Sequence, residues 1–279
     1  MLAYNPSFLE QTSFLTQGQT LFLQNLASKV SLPTLLDGLH QEKSIITKLC
    51  FDFIYTSAVI EGNTYTRAQA DTLFETKSPI SSKSIDEANM LLNIKSALEY
   101  VLEEKPPISK HTIREIHQIL SQSLLPRKAQ GGVRKIAVTI GSSDYVPLND
   151  PQELDWQMDR MLEYYASITN PFDRAIYLHN NIAYLQYFQD CNKRLARTLQ
   201  NLSLLNDGLP FVSFNARRAQ TEIKAQYKDS MLCYYETGDP KPYAAFFLAE
   251  YTSTLETIHT IADNQHSAPN PRIQTQHIR

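Results

Sequence analysis

A cluster of polar and cationic residues set directly before a leucine repeat constrains this chain more than any other feature. Residues 184–197 read YLQYFQDCNKRLAR. Leu195, Leu199, Leu202 and Leu205 then recur at helical spacing, and Asn206-Asp207-Gly208 supplies a stop signal. Asp190 or Asn192 suits the N-cap, where a short polar side chain accepts an orphan backbone N–H. The stretch is therefore expected to be a loop feeding a helix N-terminus, the backbone geometry that binds phosphate. Arg194 and Arg197 share one face of that first turn and would add charge-assisted, bidentate bonds to an anion. Asp190, just before them, is placed to hold a divalent cation bridging the same phosphates.

The rest of the chain is expected to be helical. It has only 8 glycines in 279 residues, against a usual share of ~7%, which argues against a glycine-rich loop of the Walker or Rossmann kind. Residues 1–16 read as an extended arm, and Leu21, Leu23 and Leu26 as a short helix. Apolar periodicity predicts a long helix over 35–60, ended by Glu61-Gly62-Asn63, where Gly62 or Asn63 supplies a left-handed stop. Further helices are predicted over 66–75, 84–104, 110–121, 152–166, 172–185, 221–237 and 243–261. Trp156 is expected in the core, and His179 reads as a packed residue among Tyr177, Leu178 and Ile182. β-Branched residues crowd residues 131–141, and Gly141-Ser142-Ser143-Asp144 offers a turn before Tyr145-Val146, so one β-hairpin is expected. The fold class is thus all-α with one hairpin. Lys105-Pro106-Pro107 marks a soft boundary between an N-terminal helical region, 1–105, and a core, 106–262. The tail, 263–279, lacks apolar periodicity and is expected to be mobile.

A net charge of −3 provides no basic field for nucleic acid or an anionic membrane. No apolar run reaches the ~18 residues of a membrane span. The opening residues MLAYNPSFLEQ lack the basic-then-apolar pattern of a signal peptide. Cys50, Cys191 and Cys233 are too widely spaced for a disulfide framework or a zinc site, and read as reduced thiols of a cytoplasmic protein.

The order of residues in 184–197 resembles the signature loop of the Fic/Doc family, H-x-F-x-D/E-G-N-G-R-x-x-R. Phe188, Asp190, Asn192, Arg194 and Arg197 match it. Gln186 stands at the position of the family's catalytic His, and Cys191 and Lys193 stand where it has glycines. Upstream, residues 57–63 read SAVIEGN and resemble the family's inhibitory motif, [S/T]-x-x-x-E-G/N. The helix carrying it, about 43–61, would then be an inhibitory helix with Ser57 and Glu61 as its active members. The resemblance implies a Fic-type helical bundle whose hairpin is the flap. Ile136, Ala137, Val138 and Thr139 would hold a target segment there by main-chain bonds.

The resemblance also implies a reaction. In the family the His deprotonates a hydroxyl of a target protein, which attacks the α-phosphate of ATP; AMP is transferred and pyrophosphate leaves. Asp190 would hold magnesium, Cys191, Asn192 and Lys193 would line the phosphate cradle, and Arg194 would meet the outer phosphates. Arg197 would contact the γ-phosphate or Glu61. The implied partners are ATP, magnesium and a protein presenting a Ser, Thr or Tyr hydroxyl; homo-oligomerisation stays open. Gln186 cannot take a proton near neutral pH, and general-base catalysis contributes ~10²–10⁴-fold. Lys193 resembles the Doc branch, where lysine accompanies phosphate transfer. Three readings follow: an impaired AMP transferase, a Doc-like phosphotransferase, or a nucleotide-binding regulatory pseudoenzyme.

Overall fold

The computed structural model describes residues 1–39, 41, 44–214 and 218–267. Eleven α-helices account for most of the described residues. In chain order they are α1 (Gln17–Ala27), α2 (Leu32–Leu36), α3 (Ile45–Ile60), α4 (Arg67–Thr76), α5 (Ile85–Glu103), α6 (Lys110–Ser121), α7 (Pro151–Ser167), α8 (Pro171–Leu185), α9 (Asn192–Asn206), α10 (Gln220–Thr237) and α11 (Lys241–Ser267). Most begin on a short polar cap. Thr16, Thr66 and Ser84 each form a full capping box, and Asp150 and Asn170 cap helices that carry Pro at their start.

At the centre α8 and α9 pack along each other. Every residue of α8 from Phe172 to Leu185 except Arg174 is buried, and so is almost all of α9. A helix buried all round must be enclosed by others. Here α3, α5, α6, α7, α10 and α11 form that enclosure. This places the loop between α8 and α9 inside the molecule, under α10 and the end of α3.

The all-α class holds, but the hairpin does not form. Residues 136–140 carry no strand; Tyr145–Val146 forms a two-residue strand, β2, that pairs in parallel with Leu2–Ala3, β1. The β-branched run found no antiparallel partner, and the N-terminal arm supplied a parallel one. That arm is held further by Tyr4, stacked on Tyr184 at 5.0 Å between ring centres, and by the Asn5 N–H donated to the Tyr184 hydroxyl at 2.8 Å.

Other boundaries differ from the expectation. The predicted helix 35–60 is divided: α2 covers its start, and α3 begins at Ile45 on a Ser44 cap. Residue 43, the expected start of the inhibitory helix, lies outside the described residues. Trp156 is 53% exposed and lies against the Arg160 guanidinium instead of in the core. The last helix runs to Ser267, into the expected tail; residues 268–279 lie outside the described residues.

Candidate functional site

Helix α8 ends at Gln186, which adopts a left-handed backbone, φ 49°. Helix α9 starts after Cys191, also left-handed, φ 64°. A residue with a Cβ is strained in that region, so the loop between them must be held by its surroundings. Neither Asp190 nor Asn192 caps α9; the cap position is Cys191, whose side chain makes no capping bond. Asn192 sits one residue too far along and folds back instead. Its Oδ1 accepts the Phe188 N–H at 3.0 Å, and its Nδ2 donates to the Phe188 carbonyl at 2.8 Å and to Gln186 Oε1 at 3.1 Å. Asp190 Oδ1 accepts the Cys191 N–H at 2.5 Å.

Two residues that the sequence reading did not single out lock this loop from outside. His117 on α6 stacks on Phe188 at 3.8 Å. Its Nδ1 accepts the Gly131 N–H at 2.8 Å, so the neutral ring carries its proton on Nε2 and donates it to the Asp190 carbonyl at 3.2 Å. Burial, partly offset by the Asp190 carbonyl, lowers the His117 pKa to about 4. Arg134, buried, donates Nε to the Gln186 carbonyl at 2.6 Å and Nη1 to the Ile136 carbonyl at 2.9 Å and Asn149 Oδ1 at 3.0 Å; Nη2 reaches the Leu148 carbonyl. One guanidinium thus ties the end of α8 to both ends of the segment 136–149. A buried polar side chain in the sequence pattern was the available signal, but neither residue shares periodicity with the loop it holds.

A cavity of about 370 Å³ opens above the loop. Its floor is Gln186, Gln189, Asp190, Cys191, Asn192 and Lys193; one wall is Val138, Thr139, Ile140 and Gly141; the other is Lys224, Tyr227, Lys228, Met231, Leu232 and Tyr235 of α10; Ile60 and Glu61 close one end. Val138 and Thr139 therefore reach the cavity, while Ile136 and Ala137 are exposed beside it. No histidine is among these lining residues. Both ends of the Gln186 amide are engaged across the loop: Nε2 donates to the Ala183 carbonyl of α8 at 2.6 Å, and Oε1 accepts from Asn192 of α9. Burial pushes the Cys191 thiol up to about 12, so it stays protonated.

Glu61 is brought to the site by the end of α3. Gly62 is left-handed at φ +97°; its N–H bonds the Val59 carbonyl at 2.9 Å, and the Asn63 N–H bonds the Ala58 carbonyl at 3.1 Å. That bond pair is the Schellman stop expected for Glu61-Gly62-Asn63. It leaves Glu61 directed at α9, with Oε1 2.9 Å from Arg197 Nη2 and Oε2 3.2 Å from Lys193 Nζ. Burial raises the carboxyl, but Arg197, Lys193 and Arg194 outweigh it and hold its pKa at about 2. Arg197 is 2% exposed and also donates Nε to Ser57 Oγ at 2.8 Å and Nη2 to the Ser57 carbonyl at 3.1 Å. Arg194, buried, meets Asp190 Oδ2 at 3.2 Å. Arg197 Nη1 and Arg194 Nε and Nη1 are buried with no partner among the described residues. Neither arginine lines the cavity; Glu61 and Lys193 stand there instead.

The helical enclosure around α8 and α9 and the loop between them define a Fic-type fold. Residues 107–204 match the model of the Fic/DOC family, and the chain carries a Fic/DOC domain. The chain is 32% identical over 214 residues to a protein adenylyltransferase Fic of Nematostella vectensis, covering 73% of this chain and 47% of that protein. It is 29% identical over 249 residues to one of Drosophila willistoni, covering 85% and 48%. The chain thus spans about half the length of the curated relatives it matches. Among solved structures, Fic-1 of C. elegans superposes with a TM-score of 0.70 at 23% identity, covering 89% of this chain and 73% of that one. A Fic domain containing signaling protein of Bacteroides thetaiotaomicron superposes with a TM-score of 0.66 at 20% identity, covering 87% and 97%. These likenesses support the fold. Among the described residues no helix is long and apolar enough to cross a membrane.

Proposed function

We propose that this protein binds ATP with magnesium in the cavity between the α8–α9 loop, the flap and α10. It is related to enzymes that transfer AMP to protein hydroxyls and is impaired because Gln186 stands at the base position. Glu61 carries the reading. A carboxylate delivered by α3 occupies an arginine at the start of a helix, where an outer phosphate would be held. The N-terminal region, 1–105, thereby acts on the core, 106–262. Glu61 leaves buried guanidinium N–H groups of Arg194 and Arg197 unmet, and a polyphosphate carries more oxygens with which to meet them.

Each residue then has a chemical task. The orphan amides at the start of α9, near Asn192 and Lys193, donate to a phosphate. Arg194 and, once Glu61 withdraws, Arg197 balance its charge. The Asp190 carboxylate faces the cavity and is 62% exposed, which suits a hard cation shared with ligand phosphates. Asp190 would hold the magnesium, which neutralises polyphosphate charge. The extended flap holds a target segment by main-chain bonds and presents its Ser, Thr or Tyr hydroxyl. Gln186, its amide already bonded to Ala183 and Asn192, cannot remove that hydroxyl's proton, a loss on the order of 10²–10⁴-fold.

Lys193 favours a second reading. Its ammonium lies in the cavity on the Glu61 carboxylate, filling anion space and suiting Doc-like phosphate transfer. A regulatory pseudoenzyme that binds nucleotide without turnover is the third. Calorimetry with ATP and magnesium tests the shared premise. Arg194→Ala should weaken ATP binding by the ~1.5–3 kcal/mol of a charged hydrogen bond. Absence of binding by both the original chain and Glu61→Gly would end the nucleotide reading.

A further inference from the structure

Glu61 bridges two cations of unequal freedom. Arg197 and Lys193 lie one helical turn apart on the same face of α9, and each takes one oxygen of the same carboxylate, at 2.9 and 3.2 Å. Arg197 is fixed: it is buried, and Ser57 accepts from it twice. The Lys193 side chain is 41% exposed and lines the cavity, and no other ion pair holds it among the described residues. A lysine ammonium on a flexible stem re-aims at little cost, whereas a guanidinium held by three bonds does not.

We propose that Lys193 is a shared cation and sets the charge specificity of the site: it holds Glu61 while the cavity is empty and moves onto the outer phosphate of a nucleoside di- or triphosphate when one binds. The inference rests on the nucleotide reading above and adds to it. The Arg197–Lys193 pair is one anion site whose resident occupant is a tethered carboxylate. A tethered occupant competes at high effective concentration, so a ligand must offer an anion that bridges the same two groups with more charge. A monophosphate held in the amide cradle has no group to reach them. The obstruction therefore selects for phosphate-chain length as well as excluding ligand. Because Lys193 stabilises both the closed and the loaded state, its removal has opposing effects that cancel in the original chain and separate once Glu61 is neutralised.

The test is a thermodynamic cycle by calorimetry with ATP and with AMP, on the original chain, Lys193→Ala, Glu61→Gln and the double variant, with circular dichroism confirming that each is folded. In the Glu61→Gln background, Lys193→Ala should weaken ATP binding tenfold or more and leave AMP binding within twofold. In the original chain the same substitution should change ATP binding less than threefold. Equal effects of Lys193→Ala in both backgrounds, or no effect in the Glu61→Gln background, would overturn the shared-cation inference while leaving nucleotide binding intact. No ATP binding by any of the four chains would overturn both.

Discussion

Arg197 of α9 donates to Ser57 of α3 twice, through Nε to the hydroxyl at 2.8 Å and through Nη2 to the carbonyl at 3.1 Å. Ser57 and Glu61 lie one turn apart on α3, so a single buried guanidinium reads both. The helix that brings the carboxylate is thereby held in register with the residue it occupies.

Under the proposed nucleotide reading, that relationship would make Glu61 an obstruction specific for ligands with an outer phosphate. Glu61→Gly should tighten ATP binding tenfold or more and change AMP binding less than twofold, measured by calorimetry. Equal gains for both nucleotides would contradict competition for Arg197.

The same pair has a pH signature. The folded pKa of Glu61, about 2, lies below its ordinary value of 4.5. Its pairing therefore stabilises the fold fully above about 4.5, and that contribution is lost as pH falls toward 2. The melting-temperature difference between the original chain and Glu61→Gln should be constant from pH 6 to 7 and shrink toward pH 3. A difference that does not change with acid would argue against the buried pair.

His117 and His179 should act in the same sense as Glu61, over a higher pH window. Burial lowers them to about 4 and about 3, and both are neutral in the fold. Below the unfolded value of about 6.5 the unfolded chain binds more protons, so stability falls as pH drops from 6.5 toward 4. His117→Gln should flatten the upper part of that slope in chemical-denaturation curves. It should also cost about 1–3 kcal/mol at neutral pH if the Gly131 N–H or the Asp190 carbonyl loses its partner.

Restoring a titratable group at the base position is the test of the impaired-enzyme reading. Gln186→His combined with Glu61→Gly should produce covalent modification of the chain itself or of a lysate protein, read by intact mass. A gain of one adenylyl group supports AMP transfer; a gain of one phosphate supports the Doc-like reading and gives Lys193 the deciding role. Tight ATP binding with no label under any condition would favour the pseudoenzyme.

Cys191 offers a test of backbone strain. Its φ of 64° is a conformation glycine adopts freely. Cys191→Gly should stay within about 1 kcal/mol of the original chain, because relief of strain offsets the lost burial. Cys191→Val, β-branched in the same conformation, should be destabilised well beyond that in a denaturant titration.

Local chemistry was legible in the chain. Helical spacing located most of the helices, because apolar periodicity and polar caps are properties of neighbouring residues: the helices expected over 84–104 and 110–121 form, on Ser84 and Ser109 caps. The stop at Gly62 and the cationic turn of α9 were legible for the same reason. Tertiary structure decided what depends on residues far apart. The run from 131 to 141 has strand-forming residues, yet Tyr145–Val146 pairs with Leu2–Ala3, a partner more than a hundred residues away. Trp156 is apolar by type, but its helix face looks outward. Arg134 and His117 hold the loop through bonds that no sequence period encodes. Above all, the sequence contained Glu61, Lys193 and Arg197, but only the crossing of α3 over the start of α9 put one carboxylate between the two cations. Spacing within a helix orders residues along one axis, whereas an ion pair between helices is set by how two axes pack.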